Sequence, residues 1–316
     1  MQAVLDAQQA LGAKPIETLT PAMARKQPTP ADGVMQVMKS RGMPTAPDPS
    51  ASTTDQAYGA DPMQMARIYK PVMAAVGGAL PMIVYYHGGG WVIADLKTYD
   101  ATPRFLAKQL NAIVVSVEYR HAPEHKFPAQ HEDAAMAYTW ALKMAKSWGG
   151  DPNKVALAGE SAGGNLAVAT AIYARDRGLP APVHVLAVYP IANSSKTLPS
   201  RVDSANAKPL NGAMLRWFGY YYQKTMSDGQ DARLNLVTAD LKGLPPTTII
   251  NAAIDPLRSD GETLAQAMRA AGDKVEQKTF PGVTHEFFGM GSVVKGAYDA
   301  EAYAVARLKP ALSDGL

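Results

Sequence analysis

The stretch VALAGESAGG, residues 155–164, decides the fold, because it reads as a short apolar strand, a tight turn and the start of a helix. Small residues flank Ser161, as they must where a sharp turn forces a serine into a strained backbone conformation. The pentapeptide G-x-S-x-G alone is a weak signal. Its strand-turn-helix setting predicts that the Ser161 hydroxyl lies at a helix N-terminus, where developing negative charge is favoured. The alternative is a glycine-rich helix start that carries a surface serine.

On both sides of this stretch, short apolar runs alternate with helix-like runs. Strands that alternate with helices of this length predict an α/β fold with a mostly parallel, twisted sheet and helices on both faces. The predicted strands are 82–86, 113–119, 155–158, 183–189, 247–254 and 275–280, and the predicted helices are 101–110, 129–146, 162–177, 259–271 and 294–307.

Two regions interrupt this alternation. Residues 1–55 are rich in Pro, Ala, Met and Thr and show helical patterns at 3–11 and 31–39, and 191–240 contain the aromatic run MLRWFGYYYQ. An insertion of this length in a compact fold is usually a lid or binding element. We predict that 1–55 form the N-terminal part of a helical cap and that 191–240 form its second part, inserted into a catalytic domain at 56–316. A flexible tail and a surface helix pair are the alternatives.

The composition of the chain excludes several classes of protein. The 316 residues carry a net charge of +3 with no long Lys or Arg run, so no nucleic-acid face is indicated. The absence of cysteine excludes disulfides, thiolate zinc sites and cysteine nucleophiles. No apolar stretch reaches the roughly 18 residues that a membrane span needs. The first residues do not form an intact signal peptide, which favours a cytoplasmic location, although a removed leader is compatible with the sequence.

The motif HGGGW, residues 87–91, follows the predicted strand 82–86. Three consecutive glycines let a backbone approach a reacting carbonyl closely and direct its amides at it. The motif therefore predicts half of an oxyanion hole, of which the amide of Ala162 is the other half. A simple glycine turn is the alternative. No Lys-Ser/Thr pair follows, and the spacing does not fit a dinucleotide-binding loop.

A serine nucleophile requires a base, and the base requires an orienting acid. His285 follows the last predicted strand, and Asp255 follows the strand 247–254, so both lie at carboxyl ends of strands, where parallel sheets place their sites. The chain order Ser161, Asp255, His285 is the expected one. Asp260 is the alternative acid, and supporting a loop or capping the next helix is its other possible role.

The remaining histidines do not indicate a metal site. His184 lies in an apolar strand and is predicted to be structural. His121, His125 and His131 cluster in one turn region, but their spacing does not match a known ligand pattern. We therefore expect neither a metal nor a cofactor.

Several motifs in this order resemble those of the hormone-sensitive-lipase group of α/β-hydrolases, the bacterial family IV esterases. The resemblance spans about residues 60–312 and rests on four motifs and the loop around His285; the motifs are HGGGW (87–91), YRHAPEH (119–125), GESAGGN (159–165) and DPLR (255–258). Glu160 and His121 depart from the family's usual Asp and Leu. The resemblance implies an α/β-hydrolase fold with a helical cap.

The same resemblance implies roles for individual residues. The amides of Gly89, Gly90 and Ala162 would form the oxyanion hole, Gly88 would support its turn, and YRHAPEH would be structural. The expected activity is hydrolysis of short- to medium-chain carboxylic esters through an acyl-enzyme. We expect the aromatic residues Trp91, Trp217 and Tyr221 to contact the substrate.

Three other functions and one assembly stay open at this point. A receptor of the gibberellin-receptor type resembles the family but lacks the catalytic histidine, which is present here as His285. A hydrolase of peptides, amides or lactones would use the same triad, and a long-chain lipase would use the aromatic segment. A homodimer through the predicted edge strand 275–280 is expected, because an uncovered edge can pair with its own copy.

Overall fold

The computed structural model describes residues 1–72 and 78–313 and contains one eight-stranded mixed sheet. Residues 73–77 and 314–316 of the predicted catalytic domain lie outside these ranges. The strands follow the order β1-β2-β4-β3-β5-β6-β7-β8 across the sheet. They are β1 (Ala51–Ala57), β2 (Met65–Pro71), β3 (Leu80–Tyr86), β4 (Ile113–Val117), β5 (Gly150–Glu160), β6 (Val185–Val188), β7 (Thr247–Ile254) and β8 (Val275–Thr284).

Seven of the eight strands described run in the same direction, and β2 runs antiparallel to its neighbours β1 and β4. The prediction of a mostly parallel sheet is confirmed. Strands β1 and β2 were not predicted. Strand β1 was missed because its sequence, ASTTDQA, is polar and mostly exposed. The sheet begins at Ala51, before the predicted boundary at residue 55. Strand β8 lies at the other edge, as expected, and the dimer through it stays a prediction.

The helices cover both faces of the sheet, because successive side chains of a strand point to opposite faces. Val84 and Val115 belong to the cluster packed under α5, α6 and α9, whereas Ile83 and Val114 belong to the cluster under α4 and α10. The helices are α1 (Gln2–Ala10), α2 (Pro21–Ala24), α3 (Pro30–Ser40), α4 (Ala101–Leu110), α5 (Ala129–Trp148), α6 (Ala162–Asp176), α7 (Pro199–Asp203), α8 (Gly212–Tyr222), α9 (Arg258–Ala270) and α10 (Lys295–Leu312).

The carboxyl ends of three parallel strands bring together the residues that carry the chemistry. Strand β5 ends just before Ser161, β7 just before Asp255 and β8 just before His285. Because neighbouring parallel strands end at the same edge of a sheet, residues far apart in sequence meet there. Among the described helices, none is both long and apolar enough to cross a bilayer.

Candidate active site

Ser161 lies in the turn between β5 and α6 with a backbone conformation that an L-residue rarely adopts, φ 57° and ψ −117°. Its amide donates to the carbonyl of Val188 at 2.8 Å, which anchors the turn to the neighbouring strand. A Cβ added to Gly163 would lie 1.9 Å from the carbonyl oxygen of Tyr86, so only glycine allows α6 to start this close to β3. The turn therefore presents the Ser161 side chain at the N-terminus of α6.

Ser161, His285 and Asp255 form a continuous chain of hydrogen bonds. The Oγ of Ser161 lies 2.9 Å from Nε2 of His285, and Nδ1 of His285 lies 2.7 Å from Oδ2 of Asp255. The second carboxylate oxygen of Asp255 accepts from the amide of Leu257 at 2.8 Å. An ionised carboxylate only accepts hydrogen bonds, so the imidazole donates through Nδ1 and leaves the Nε2 lone pair for the hydroxyl. This arrangement can remove a proton from Ser161.

The environment of His285 increases its basicity. Burial lowers the pKa of His285, but the charge of Asp255 and its hydrogen bond raise it, and the net effect is a pKa above the ordinary value of 6.5. The ring is 3% exposed, so the interaction with Asp255 is little screened by solvent. His285 is therefore suited to hold a proton that it takes from a nucleophile.

The loop at 87–91 presents free amides next to Ser161. Its carbonyl groups are held by the hydroxyl of Tyr119, which donates to the carbonyls of His87 at 2.9 Å and Gly88 at 3.1 Å. In the part of the chain that the structure describes, the amides of Gly89 and Gly90 donate to no other group. Ala162 is the first residue of α6, so its amide is also outside the helical hydrogen bonds. Such a set of donors can stabilise an oxyanion.

One cavity of about 730 Å³ contains Ser161 and His285. Gly89 and Gly90 lie on its wall, and residues from both regions that interrupt the α/β alternation complete it. The volume is within the usual range for small-molecule sites, roughly 300–1,000 Å³. The N-terminal part of the wall includes Leu5 and Ile16, and the part from α8 consists of Met214, Leu215 and Phe218.

Comparison with known proteins identifies the fold. A family model described as the α/β-hydrolase fold matches residues 83–289. The chain belongs to this family. Within it, the chain is a hormone-sensitive-lipase-like esterase, as the motifs predicted.

The relatives of this α/β-hydrolase include esterases from bacteria and archaea. It is 38% identical over 293 residues to carboxylesterase NlhH of Mycobacterium tuberculosis, and the match covers 90% of this chain and 91% of that protein. It is 31% identical to an arylesterase of Saccharolobus solfataricus, with 77% and 79% of the two chains covered. The solved hyperthermophilic esterase of the archaeon Pyrobaculum calidifontis superposes with a TM-score of 0.85 at 33% identity, over 98% of this chain and 96% of that chain.

The three aromatic residues expected to contact substrate do not line the cavity of this α/β-hydrolase. Trp91 is buried and stacks on Tyr222 with ring centroids 4.2 Å apart. Trp217 donates from Nε1 to the carbonyl of Leu19 at 2.9 Å, and it lines a separate groove with Tyr221. Helix α8 instead contributes Met214, Leu215 and Phe218 to the cavity wall, and contact of the three aromatic residues with substrate stays a prediction. Trp217 and Phe218 are neighbours on the same broad apolar side of α8, so periodicity alone could not choose between them.

Glu160 and Asp260 of this α/β-hydrolase are buried carboxyls outside the triad. Glu160 accepts hydrogen bonds from the hydroxyls of Tyr85, Thr102 and Tyr189, and burial raises its pKa to about 7. Asp260 pairs with Arg201 at 2.8 Å and accepts from the amides of the loop at 192–193. The structure thus gives Asp260 the loop-supporting role and places Asp255 alone against His285.

The histidines of the turn region do not come together as a ligand set. His125 lies 3.7 Å from a carboxylate oxygen of Asp61, and His131 contacts the side chain of Asn165 at 2.9 Å. His184 is buried against the hydroxyl of Thr248, as expected of a structural residue. His121 is instead directed toward Glu118, a residue that the sequence did not single out.

Proposed function

We propose that this esterase hydrolyses short- to medium-chain carboxylic esters through an acyl-enzyme on Ser161. The observation that carries the proposal is the hydrogen-bonded chain from Ser161 through His285 to Asp255, next to the free amides of Gly89 and Gly90. The esterase names of the relatives support the same reaction class.

In the proposed mechanism, His285 accepts the Ser161 proton at Nε2 while Oγ attacks the ester carbonyl. The developing oxyanion is stabilised by the amides of Gly89, Gly90 and Ala162. Asp255 stabilises the imidazolium, which then protonates the departing alcohol. Water activated by the same imidazole cleaves the acyl-enzyme, and Ser161 recovers its proton.

We further infer that residues 1–55 and 191–240 act together as a cap over the bound ester. Leu5 and Ile16 lie on one side of the cavity, and Leu215 and Phe218 lie on the other. The two parts of the cap are connected, because Asn211 donates to Glu17 at 3.2 Å. A cap of this kind shields the bound ester from bulk solvent and limits the length of the acyl chain.

We propose that the ring of Phe218 limits the length of the acyl chain that the cavity accepts. A Cβ at Gly90 would lie 2.3 Å from the Phe218 ring, so this ring packs directly over the proposed oxyanion loop. Phe218→Ala removes it and lengthens the acyl site. We expect the ratio of kcat/KM for p-nitrophenyl decanoate to that for p-nitrophenyl butyrate to rise about tenfold, as one or two additional buried methylenes would produce. A series of p-nitrophenyl esters on the purified wild type and variant measures it.

The matched control is Tyr220→Ala, which removes an aromatic ring from the same helix at a position that is 75% exposed. Its chain-length profile should follow the wild type. A wild type that hydrolyses no ester in the series contradicts the proposed function. An unchanged profile in Phe218→Ala contradicts only the assignment of the acyl site.

The dependence of activity on pH tests the proposed role of His285. Only the neutral imidazole can accept the serine proton, and a raised pKa keeps the ring protonated to higher pH. Activity should therefore be complete at alkaline pH and should fall as the pH decreases through an apparent pKa above about 6.5. A pH profile of kcat/KM, with circular dichroism at each pH to confirm folding, measures this decrease in activity at acidic pH. A profile that stays flat down to about pH 4 rules out a histidine base.

A further inference from the structure

A second group of titratable side chains lies behind the oxyanion loop. His87, Glu118 and His121 point one atom each toward a common centre, and these atoms all lie within 4.8 Å of one another. Oε1 of Glu118 is 3.0 Å from Nε2 of His121 and 3.4 Å from Nε2 of His87. His87 is 0% and His121 4% exposed, so the group is shielded from bulk solvent.

The three converging atoms lack hydrogen-bond partners of good geometry. Nε2 of His87, Oε1 of Glu118 and Nε2 of His121 are all buried and unpartnered by hydrogen bonds, although they lie close together. Buried polar atoms normally have a partner, and leaving three of them without one costs free energy. Proximity without hydrogen-bond alignment is the arrangement expected when the atoms surround a common ligand and do not bond to one another.

The groups around the three atoms hold them in this orientation. Nδ1 of His87 lies 2.7 Å from the carbonyl oxygen of Gly88, which only accepts, so Nδ1 carries a proton and Nε2 is the ring nitrogen directed toward Glu118. The other oxygen of Glu118 accepts from the amide of Leu96 at 2.9 Å. A histidine that donates its second ring N–H to a backbone carbonyl is the usual support of a metal ligand.

The spacing of the three atoms also fits a metal ion. Bonds of 2.0–2.2 Å at tetrahedral angles place two ligand atoms about 3.4 Å apart. The separation of 3.4 Å between Glu118 and His87 agrees with this value, and the separation of 3.0 Å between Glu118 and His121 is shorter. Two imidazoles and a carboxylate are ligands that Zn²⁺ and related divalent transition metals accept.

We propose that His87, Glu118 and His121 form a binding site for a divalent transition-metal ion of the Zn²⁺ type. Glu118 and His121 also line the cavity that contains Ser161. His87 is the first residue of the HGGGW loop, and the bound ion therefore ties this loop to the end of β4. The site depends on His121, which supplies one of its two imidazoles.

Metal binding to tag-free protein tests the proposal. The protein is stripped with a chelator and titrated with Zn²⁺ in competition with a chromogenic indicator, and bound metal is counted by mass spectrometry. We expect one Zn²⁺ per chain, and a higher melting temperature with Zn²⁺, because the ion binds the folded state. His121→Leu should weaken binding by at least about 100-fold, since loss of even a supporting residue costs 10–100-fold.

The matched control is His125→Leu, which makes the same substitution at a half-exposed histidine of the same motif. Its Zn²⁺ affinity should equal that of the wild type. If circular dichroism shows that His121→Leu does not fold, Glu118→Gln is used in its place, because it removes another of the three proposed ligands and should also weaken Zn²⁺ binding. In the unaltered protein, Co²⁺ should give the visible absorption of a four-coordinate ion.

Three results would overturn the proposal. The first is a wild type that binds no stoichiometric Zn²⁺, which would mean that a proton shared with Glu118 fills the centre. The second is equal Zn²⁺ affinity in His121→Leu and His125→Leu, which would place the ion elsewhere. The third is a spectrum of Co²⁺ added to the wild type that matches the fully hydrated ion, which would mean that the protein does not coordinate it. Because every readout is binding or stability, none of these results depends on the proposed ester hydrolysis.

Discussion

We expect Ser161→Ala to lower kcat for p-nitrophenyl butyrate by about 10⁴-fold or more. The reason is that alanine removes the hydroxyl oxygen that lies 2.9 Å from Nε2 of His285 and that would bond to the acyl group. Any residual rate would come from the oxyanion amides and from substrate binding. A decrease of this size corresponds to about 5.4 kcal/mol of transition-state stabilisation. Steady-state kinetics on the purified variant, with matched circular dichroism, measures it.

Covalent labelling distinguishes the nucleophile from a merely supporting serine. An organophosphonate ester should add to the wild type once per chain, and peptide mass spectrometry should locate the label on Ser161. The Ser161→Ala variant should remain unlabelled. Turnover near that of the wild type in the variant, or a label on another residue, contradicts the assignment of the nucleophile.

Asp255→Asn should lower kcat by about 10⁴-fold while the fold is retained. An asparagine amide can donate to Nδ1 of His285, which places the ring proton on Nε2 and leaves no lone pair for Ser161. The variant also removes the charge that raises the pKa of His285, so the acid limb of the remaining activity should move to lower pH. Both kcat and the pH profile of kcat/KM are measured.

Asp260→Asn is the matched control, because it makes the same substitution at the other candidate acid. Asp260 is 0% exposed and pairs with Arg201, so its loss leaves a half-buried guanidinium without its carboxylate. We expect a lower melting temperature with a kcat close to that of the wild type. If instead Asp260→Asn loses kcat and Asp255→Asn keeps it, the acid of the triad has been assigned incorrectly.

Local sequence was sufficient to predict the elements next to the site. The central strands and the turn at Ser161 were predicted because short apolar runs followed by small residues have few alternative structures. The position of His285 after the last strand followed from the same alternation. Strand β1 was missed because its polar side chains, which face solvent along an edge, carry no hydrophobic pattern.

The orientation of the cap could not be predicted in the same way. The apolar side chains of helix α8 share one broad side, on which Trp217 donates to the carbonyl of Leu19 while Met214 and Phe218 line the cavity. The sequence indicated an aromatic substrate site and named Trp217 and Tyr221, but Phe218 is the aromatic residue of this helix that lines the cavity with Ser161. Which of these neighbouring side chains reach the cavity depends on how α8 docks against the N-terminal segment.

The sequence by itself determined the α/β alternation, the strained turn at Ser161 and the chain order of serine, acid and base, because each depends on neighbouring residues or on the ends of parallel strands. Only the tertiary structure decided that Asp255 and not Asp260 faces His285, and that His121 meets His87 and Glu118. Those contacts join residues from separate strands and loops. Their distances depend on how the strands align and how the loops pack, and no local pattern encodes that.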